Sequence, residues 1–313
     1  MSTPEQARPA DRRDLGTGPL LRAALGRVSQ RLALAGVPSP SVDARALLSR
    51  AAGDPAHLLL VEELPEGFEA VLEQLVRRRE AREPLQLILG TAPFRRLELE
   101  VLAGVFIPRP ETELMVDILL DHARTAEVAQ VIDLCTGSGA IAAAVLDEMP
   151  RVRVLALERD PRAAGLARCN LAAVDPARGE VREGDVRTAA LPGPVDAVLS
   201  NPPYIPAGQV PREEEVLRHD PELALYGGGE DGLEIPRAVL DRAADLLRPG
   251  GLLVMEHADV QGPATRELAH ASGSFVRVRT QRDLTGRDRF LVAVRGRDGS
   301  AGDGSSRDER MSA

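Results

Sequence analysis

Four consecutive residues, Asn201-Pro202-Pro203-Tyr204, set a carboxamide, two imino acids and a phenol side by side in the stretch SNPPYIP. Neither proline can give an N–H to a sheet ladder, and each fixes φ at about −65°, so the apolar run Val195–Ser200 must end here in a stiff, extended turn. That turn offers two acceptors, the Asn201 side-chain oxygen and the Pro202 carbonyl, to the two hydrogens of a planar NH2 group. Tyr204 offers a flat face on which the group can stack. The chemistry this suits is attack by an amide or aromatic amine nitrogen. Its lone pair is delocalised, so it needs orientation and stabilisation of the positive charge developing on it, more than a strong base. No Ser/His/Asp triad is expected, and His57, His122, His219, His257 and His270 are scattered residues with structural or surface roles.

A second constellation lies upstream. VIDLCTGSGAIAAAV places Gly137-Ser138-Gly139 between a buried strand and a helix, where glycines allow a tight turn and close approach to a ligand. The next strand ends in Glu158, 19 residues beyond Gly139, where a carboxylate can accept both hydroxyls of a ribose. A glycine loop with a downstream acid also fits NAD-binding folds. Two details favour S-adenosylmethionine. Asp133 precedes the glycines, where its charge would repel a pyrophosphate but suits an ammonium or sulfonium. The closing pair of strands also departs from a repeated nucleotide-binding half. Asn201 follows Gly139 by 62 residues, at the end of the fourth strand, where the methyl group of such a cofactor would lie.

The elements that must hold these residues follow from periodicity. Residues 1–17 are polar and rich in Pro, Arg and Asp, and are expected to be disordered. Residues 18–90 carry helical spacing with short loops and form a small helical domain. Residues 91–110 alternate at Leu97, Leu99 and Val101 and are expected to form a linking β-hairpin that turns at Ala103-Gly104. Over 111–295 strands and helices alternate, which predicts an α/β domain whose largely parallel sheet is covered on both faces. The last two strands, FVRVRT and RFLVAVRG, are placed as an antiparallel pair at its edge. The tail, 296–313, lacks apolar anchors and is expected to be disordered.

Composition excludes several classes. The chain has no lysine, all 39 basic residues are Arg, and the net charge is −9, a poor endowment for gripping nucleic acid through its phosphates. The cluster Arg77-Arg78-Arg79 is followed at once by Glu80 and reads as a solvated helix face. Cys135 and Cys169 form neither a disulfide framework nor a metal spacing, and no run approaches the length of a membrane span. These features predict a reduced, cytoplasmic protein with no membrane association, no metal and no stable nucleic-acid binding.

Taken together, these pieces resemble the HemK/PrmC family, the glutamine-N5 methyltransferases of peptide chain release factors. The resemblance covers about residues 18–295 and is carried by the loop Ile107-Pro108-Arg109-Pro110-Glu111-Thr112, by VIDLCTGSGAIA, VLSNPPYIP, HDPELALYGGGEDGLEIPR and LRPGG, in family order. It implies the class I S-adenosylmethionine-dependent methyltransferase fold, a Rossmann-like seven-stranded sheet with an antiparallel edge strand, behind a small helical domain that docks the release factor. It implies that Cys135, Thr136, Gly137, Ser138 and Gly139 form the cofactor loop, that Glu158 binds the ribose and that Val186 lies beside the adenine. It also implies that Asn201 touches cofactor and substrate, and that Asn201, Pro202, Pro203 and Tyr204 hold the glutamine of a Gly-Gly-Gln motif, with Asn201, Pro202 and Tyr204 catalytic. Three positions depart from the common pattern. Cys135 replaces a frequent glycine, which is harmless if φ is negative there; Glu158 replaces Asp; Val186 replaces Trp and removes a stacking surface. The Asn-Pro-Pro-Tyr motif alone leaves open a ribosomal-protein glutamine or an adenine N6 as acceptor. The other rivals are an NAD-dependent oxidoreductase and a non-catalytic adaptor.

Overall fold

The computed structural model describes residues 17–54, 58, 61–210 and 213–297. The expected disordered segments fall outside the described residues at 1–16 and 298–313, as does His57, whereas Thr17 already opens a helix. The chain divides into two compact units that meet in sequence between Leu89 and Gly90.

In the first unit apolar residues at helical spacing put one stripe of each helix into a shared core. Helix α1 (Thr17–Leu34) buries Leu21, Ala24, Val28 and Leu32; α2 (Pro40–Ala51) buries Ala44, Leu47 and Leu48; α3 (Phe68–Glu80) buries Phe68, Leu72, Leu75 and Val76. A one-turn helix, α4 (Leu85–Leu89), follows and adds Ile88. The arginine cluster does not form one solvated face. Arg79 is buried, with its Nε 2.8 Å from Asp43 Oδ2, while Arg77 pairs with Glu73 near the surface and Arg78 with Glu83. Three adjacent residues of a helix point about 100° apart, so the three cannot share one face, and here Arg79 is the one turned inward.

The second unit opens with an antiparallel hairpin, β1 (Thr91–Phe94) and β2 (Leu97–Glu100). Its turn is at Arg95-Arg96 and not at Ala103-Gly104. Arg95 takes a left-handed φ of 54° that glycine would adopt more readily, and its amide and guanidinium are held by Glu113, Asp117 and Glu148. After a 3-10 turn (Pro110–Glu113) and α5 (Leu114–Ala123), strands and helices alternate: β3 (Gln130–Leu134), α6 (Ala140–Glu148), β4 (Arg153–Glu158), α7 (Pro161–Val174), β5 (Gly179–Glu183) and β6 (Val195–Ser200). Two short helices, α8 (Glu214–His219) and α9 (Glu222–Leu225), precede α10 (Glu234–Leu246), β7 (Leu247–Glu256), α11 (Gly262–Ala271), β8 (Phe275–Arg282) and β9 (Asp288–Arg295). The seven-stranded sheet has the order β5-β4-β3-β6-β7-β9-β8. It is parallel from β5 to β7, and the reversed strand, β9, is inserted between β7 and the edge strand β8. Strands β3, β4 and β6 are apolar nearly throughout because helices cover both of their faces.

Strand order reverses between β3 and β6, so the connections that leave their carboxyl ends part in opposite directions and open a crevice. Leu134 is paired with Ser200, and the Ser200 hydroxyl donates to the Leu134 carbonyl at 2.7 Å. The glycine loop and the Asn-Pro-Pro-Tyr corner therefore leave the sheet side by side.

Removing Arg79 strands the Asp43 charge in the helical core. Arg79→Ala is expected to cost about 3 kcal/mol in denaturant unfolding, and Arg77→Ala less than about 1 kcal/mol.

Candidate active site

One row of the sheet organises the site. Leu157, Leu134, Ser200 and Met255 are paired in sequence across β4, β3, β6 and β7, so Glu158, Cys135, Asn201 and Glu256 each stand one residue beyond the same line.

At the β3 end the backbone turns sharply. Cys135, Gly137 and Gly139 have φ of 59°, 58° and 83°. The condition that made Cys135 harmless is not met: it occupies the left-handed region that favours glycine, and a β-carbon there carries strain. A β-carbon on Gly139 would lie 2.7 Å from Leu171 Cδ1 and 3.1 Å from the Ala167 backbone, so α7 packs against the bend only because no side chain intervenes. Asn170 of α7 donates to the carbonyls of Ser138 (2.9 Å) and Glu100 (3.1 Å), which ties the bend to the hairpin. Glu158 accepts from the amides of Gly137 (2.8 Å), Arg159 (2.8 Å) and Asp160 (2.9 Å). Burial raises its pKa against the pull of these amides.

Asp133 is fully buried and is not among the residues that line the crevice. It accepts from the Thr136 hydroxyl, its Oδ1 has no hydrogen-bond partner among the described residues, and burial pushes it up to about 7. Burial, with the Glu158 and Asp133 carboxylates nearby, also raises the Cys135 thiol far above its ordinary value.

At the β6 end the corner rests on a second glycine loop. Ile205 donates to the Leu225 carbonyl at 2.8 Å, and Gly227 donates back to Ile205 at 3.0 Å. A β-carbon on Gly227 would lie 2.0 Å from the Gly232 carbonyl oxygen, and one on Gly232 would lie 2.3 Å from that of Tyr204. Gln261 clamps the two segments by donating to the carbonyls of Tyr204 and Asp231, both at 2.9 Å. The Pro202 carbonyl takes no hydrogen bond among the described residues.

Polar side chains then converge behind the corner. Asn201 Nδ2 donates to Thr112 Oγ1 (3.3 Å), Thr112 donates to Glu256 Oε2 (2.7 Å), and the Tyr204 hydroxyl donates to Glu256 Oε1 (3.3 Å). Burial pushes Glu256 up to about 7, against Thr112, Arg289 and Tyr204, and burial beside that carboxylate raises the Tyr204 hydroxyl. Arg109 stacks on Phe106, 5.2 Å from the ring centre, and pairs with buried Asp220 at 2.6 Å, joining the Ile107–Thr112 loop to the segment before α9.

The crevice, about 240 Å³, is lined by Cys135 to Ser138, Glu158 and Val186 toward one end and by Asn201 to Tyr204 toward the other. Gly139 is the one proposed cofactor-loop residue absent from the lining; its part is to let α7 approach. Phe106, Leu223 and Tyr226 complete the apolar walls. Among the described residues no group of three or more His, Cys, Asp or Glu is placed to hold a metal ion. Thr112, Glu256 and Gln261 had no assigned role in the sequence. Glu256 carried a usable signal, since GLLVME is an apolar strand ending in an acid, as RVLALE is at Glu158.

The Methyltransferase small domain model matches residues 96–218, and the PrmC N-terminal domain model matches residues 23–90. The release factor glutamine methyltransferase of Bifidobacterium longum is 44% identical over 294 residues, covering 88% of this chain and 99% of its own length. That of Streptomyces coelicolor is 45% identical over 280 residues, covering 88% and 98%. The chain belongs to the release factor glutamine methyltransferase family. It is an S-adenosylmethionine-dependent methyltransferase, and the oxidoreductase and adaptor alternatives fall away. The crevice fits that cofactor: a bend with glycines at 137 and 139 abuts an amide-held carboxylate that retains acceptor capacity on Oε2, and Val186 gives an apolar wall.

Asp133 and Glu256 keep their protons in the folded protein up to about pH 7, whereas an unfolded chain loses them near pH 4. Between these values the native state binds more protons, so stability falls as pH rises through the window. Asp133→Asn should reduce the drop in unfolding free energy between about pH 5 and pH 8 by on the order of 2 kcal/mol, read from denaturant titrations at both pH values.

Proposed function

We propose that this protein methylates the side-chain amide nitrogen, N5, of the glutamine in the Gly-Gly-Gln motif of peptide chain release factors. The observation that carries this reading is the adjacency of the glycine bend and the Asn201–Tyr204 corner at the paired ends of β3 and β6. S-adenosylmethionine, when bound, supplies a methyl group on a positively charged sulfur. The bend Cys135-Thr136-Gly137-Ser138-Gly139 would hold it together with Glu158 at the ribose, Val186 beside the adenine and Asn201 at the boundary with the substrate.

The corner acts on the nitrogen. Asn201 Oδ1 and the Pro202 carbonyl each accept one N–H of the glutamine amide, which fixes the plane of the NH2 group and leaves its face toward the methyl donor. Pro202 and Pro203 fix the backbone so that these acceptors are in place before substrate arrives. The Tyr204 ring stacks on the amide plane, and the two acceptors stabilise the charge that develops on nitrogen as the new N–C bond forms. One N–H is then lost as a proton, so no base has to act first. The helical unit, matched by the PrmC N-terminal domain model, is assigned to docking the release factor. The acidic, lysine-free composition supports a protein substrate over an adenine in nucleic acid. No helix among the described residues is long and apolar enough to cross a membrane, and we assign the enzyme to the cytoplasm on its substrate.

The test is incubation of the purified protein with release factor and S-adenosylmethionine, followed by peptide mass mapping. The Gly-Gly-Gln peptide should gain one methyl group, and its absence would overturn the assignment. Asn201→Ala should lower turnover by at least about a hundredfold with an unchanged unfolding midpoint. Glu158→Ala should weaken cofactor affinity by on the order of tenfold or more in calorimetry. Its turnover at saturating cofactor should stay within about threefold of the parent's.

A further inference from the structure

A carboxamide can face the substrate with its oxygen or, turned over, with its NH2 group, and only the first orientation accepts an N–H. Electron density rarely distinguishes the two, but the hydrogen-bond partners do. Thr112 and Glu256 are both almost completely buried, and Thr112 Oγ1 lies 2.7 Å from Glu256 Oε2. A threonine hydroxyl has a single hydrogen, and above about pH 7, where Glu256 is ionised, its carboxylate can only accept, so that hydrogen is then committed to Glu256. What remains on Thr112 Oγ1 is lone pairs. The group of Asn201 that meets it, at 3.3 Å, must therefore be the donor Nδ2. Oδ1 is left for the crevice, which Asn201 lines. The other oxygen of Glu256 takes the Tyr204 hydroxyl, so one buried carboxylate sets both the acceptor and the stacking ring.

We propose that Thr112 and Glu256 are positioning residues, a two-member relay that turns the Asn201 carboxamide so that its oxygen faces the substrate nitrogen. The relay refines the glutamine-methyltransferase reading and rests on it for the identity of the substrate. Neither residue has to touch the glutamine: Thr112 acts through Asn201, and Glu256 acts through Thr112 and Tyr204. The site selects an N–H donor because an acid two links away dictates which end of an amide is presented.

The experiment uses the full chain and compares Thr112→Val, which keeps the shape and removes the hydroxyl, with Thr112→Ser, which restores it. With release factor as substrate at about pH 8, where Glu256 is ionised, Thr112→Val should lower kcat at least tenfold, with KM and cofactor affinity within about threefold of the parent's. Thr112→Ser should recover kcat to within about threefold. A valine variant at parental kcat, or a serine variant as slow as the valine one, would overturn the relay. A second measurement needs no substrate. With asparagine labelled selectively with ¹⁵N, the Asn201 side-chain NH2 protons should exchange slowly in the parent and in Thr112→Ser, and at least tenfold faster in Thr112→Val. Equal exchange in all three would also overturn the relay. Failure of the parent to methylate a release factor would instead refute the substrate assignment, and the exchange data would still decide the relay.

Discussion

Behind the Asn201–Tyr204 corner, backbone lies directly on backbone. A side chain on Gly227 would collide with the Gly232 and Pro203 carbonyl oxygens, and one on Gly232 would collide with the Tyr204 carbonyl. Gly227 is not in the left-handed region, so its requirement for glycine is one of space alone, whereas Gly232, at φ 72°, needs both room and conformation. The corner is therefore braced at its rear by a surface that cannot give way, while its prolines limit its own torsions. An acceptor pair held in this way is oriented before a ligand arrives, which is where much of the advantage of a preorganised site lies.

The glycine bend at the end of β3 follows the same logic with different parts. Gly139 lets α7 touch the bend, and Asn170 and Glu158 stitch that bend to the hairpin and to the end of β4. Here side chains bind backbone, and at the corner backbone supports backbone. Buried polar groups stand at both ends, Thr112 and Glu256 behind the corner and Asp133 beside Thr136 of the bend, in surroundings where an unmatched donor or acceptor costs more than a matched one gains. Function and stability pull against each other in this layer. The acids that shape the site are held by burial away from the charge state they would prefer in water.

Much of this architecture was legible in the sequence because the relevant strands are apolar runs with abrupt ends. VIDL, VLALE and VDAVLS stop at the residues that carry the chemistry, and the sheet aligns those stops in one row. The features that were not legible depend on partners distant in the chain. Thr112 and Glu256 are 144 residues apart, and nothing local to either announces the hydrogen bond. The hairpin turn escaped because an arginine takes a glycine-like conformation there, held by three acids from beyond the hairpin. Arg79 escaped because a charge run looks solvated until the helix phase and the position of Asp43 are known. The insertion of β9 between β7 and β8 is likewise not encoded by hairpin proximity alone, which pairs β8 with β9 but does not say which of them lies against β7.

Cys135 lines the crevice at the glycine bend. A sulfur anion there would outcompete any amide as an alkyl acceptor, and would turn the enzyme into its own suicide substrate. Desolvation, with the Glu158 and Asp133 carboxyl groups nearby, raises that thiol and favours its protonated, less reactive form. A thiol held protonated in this strained bend is expected to react slowly with electrophiles that modify ordinary surface thiols.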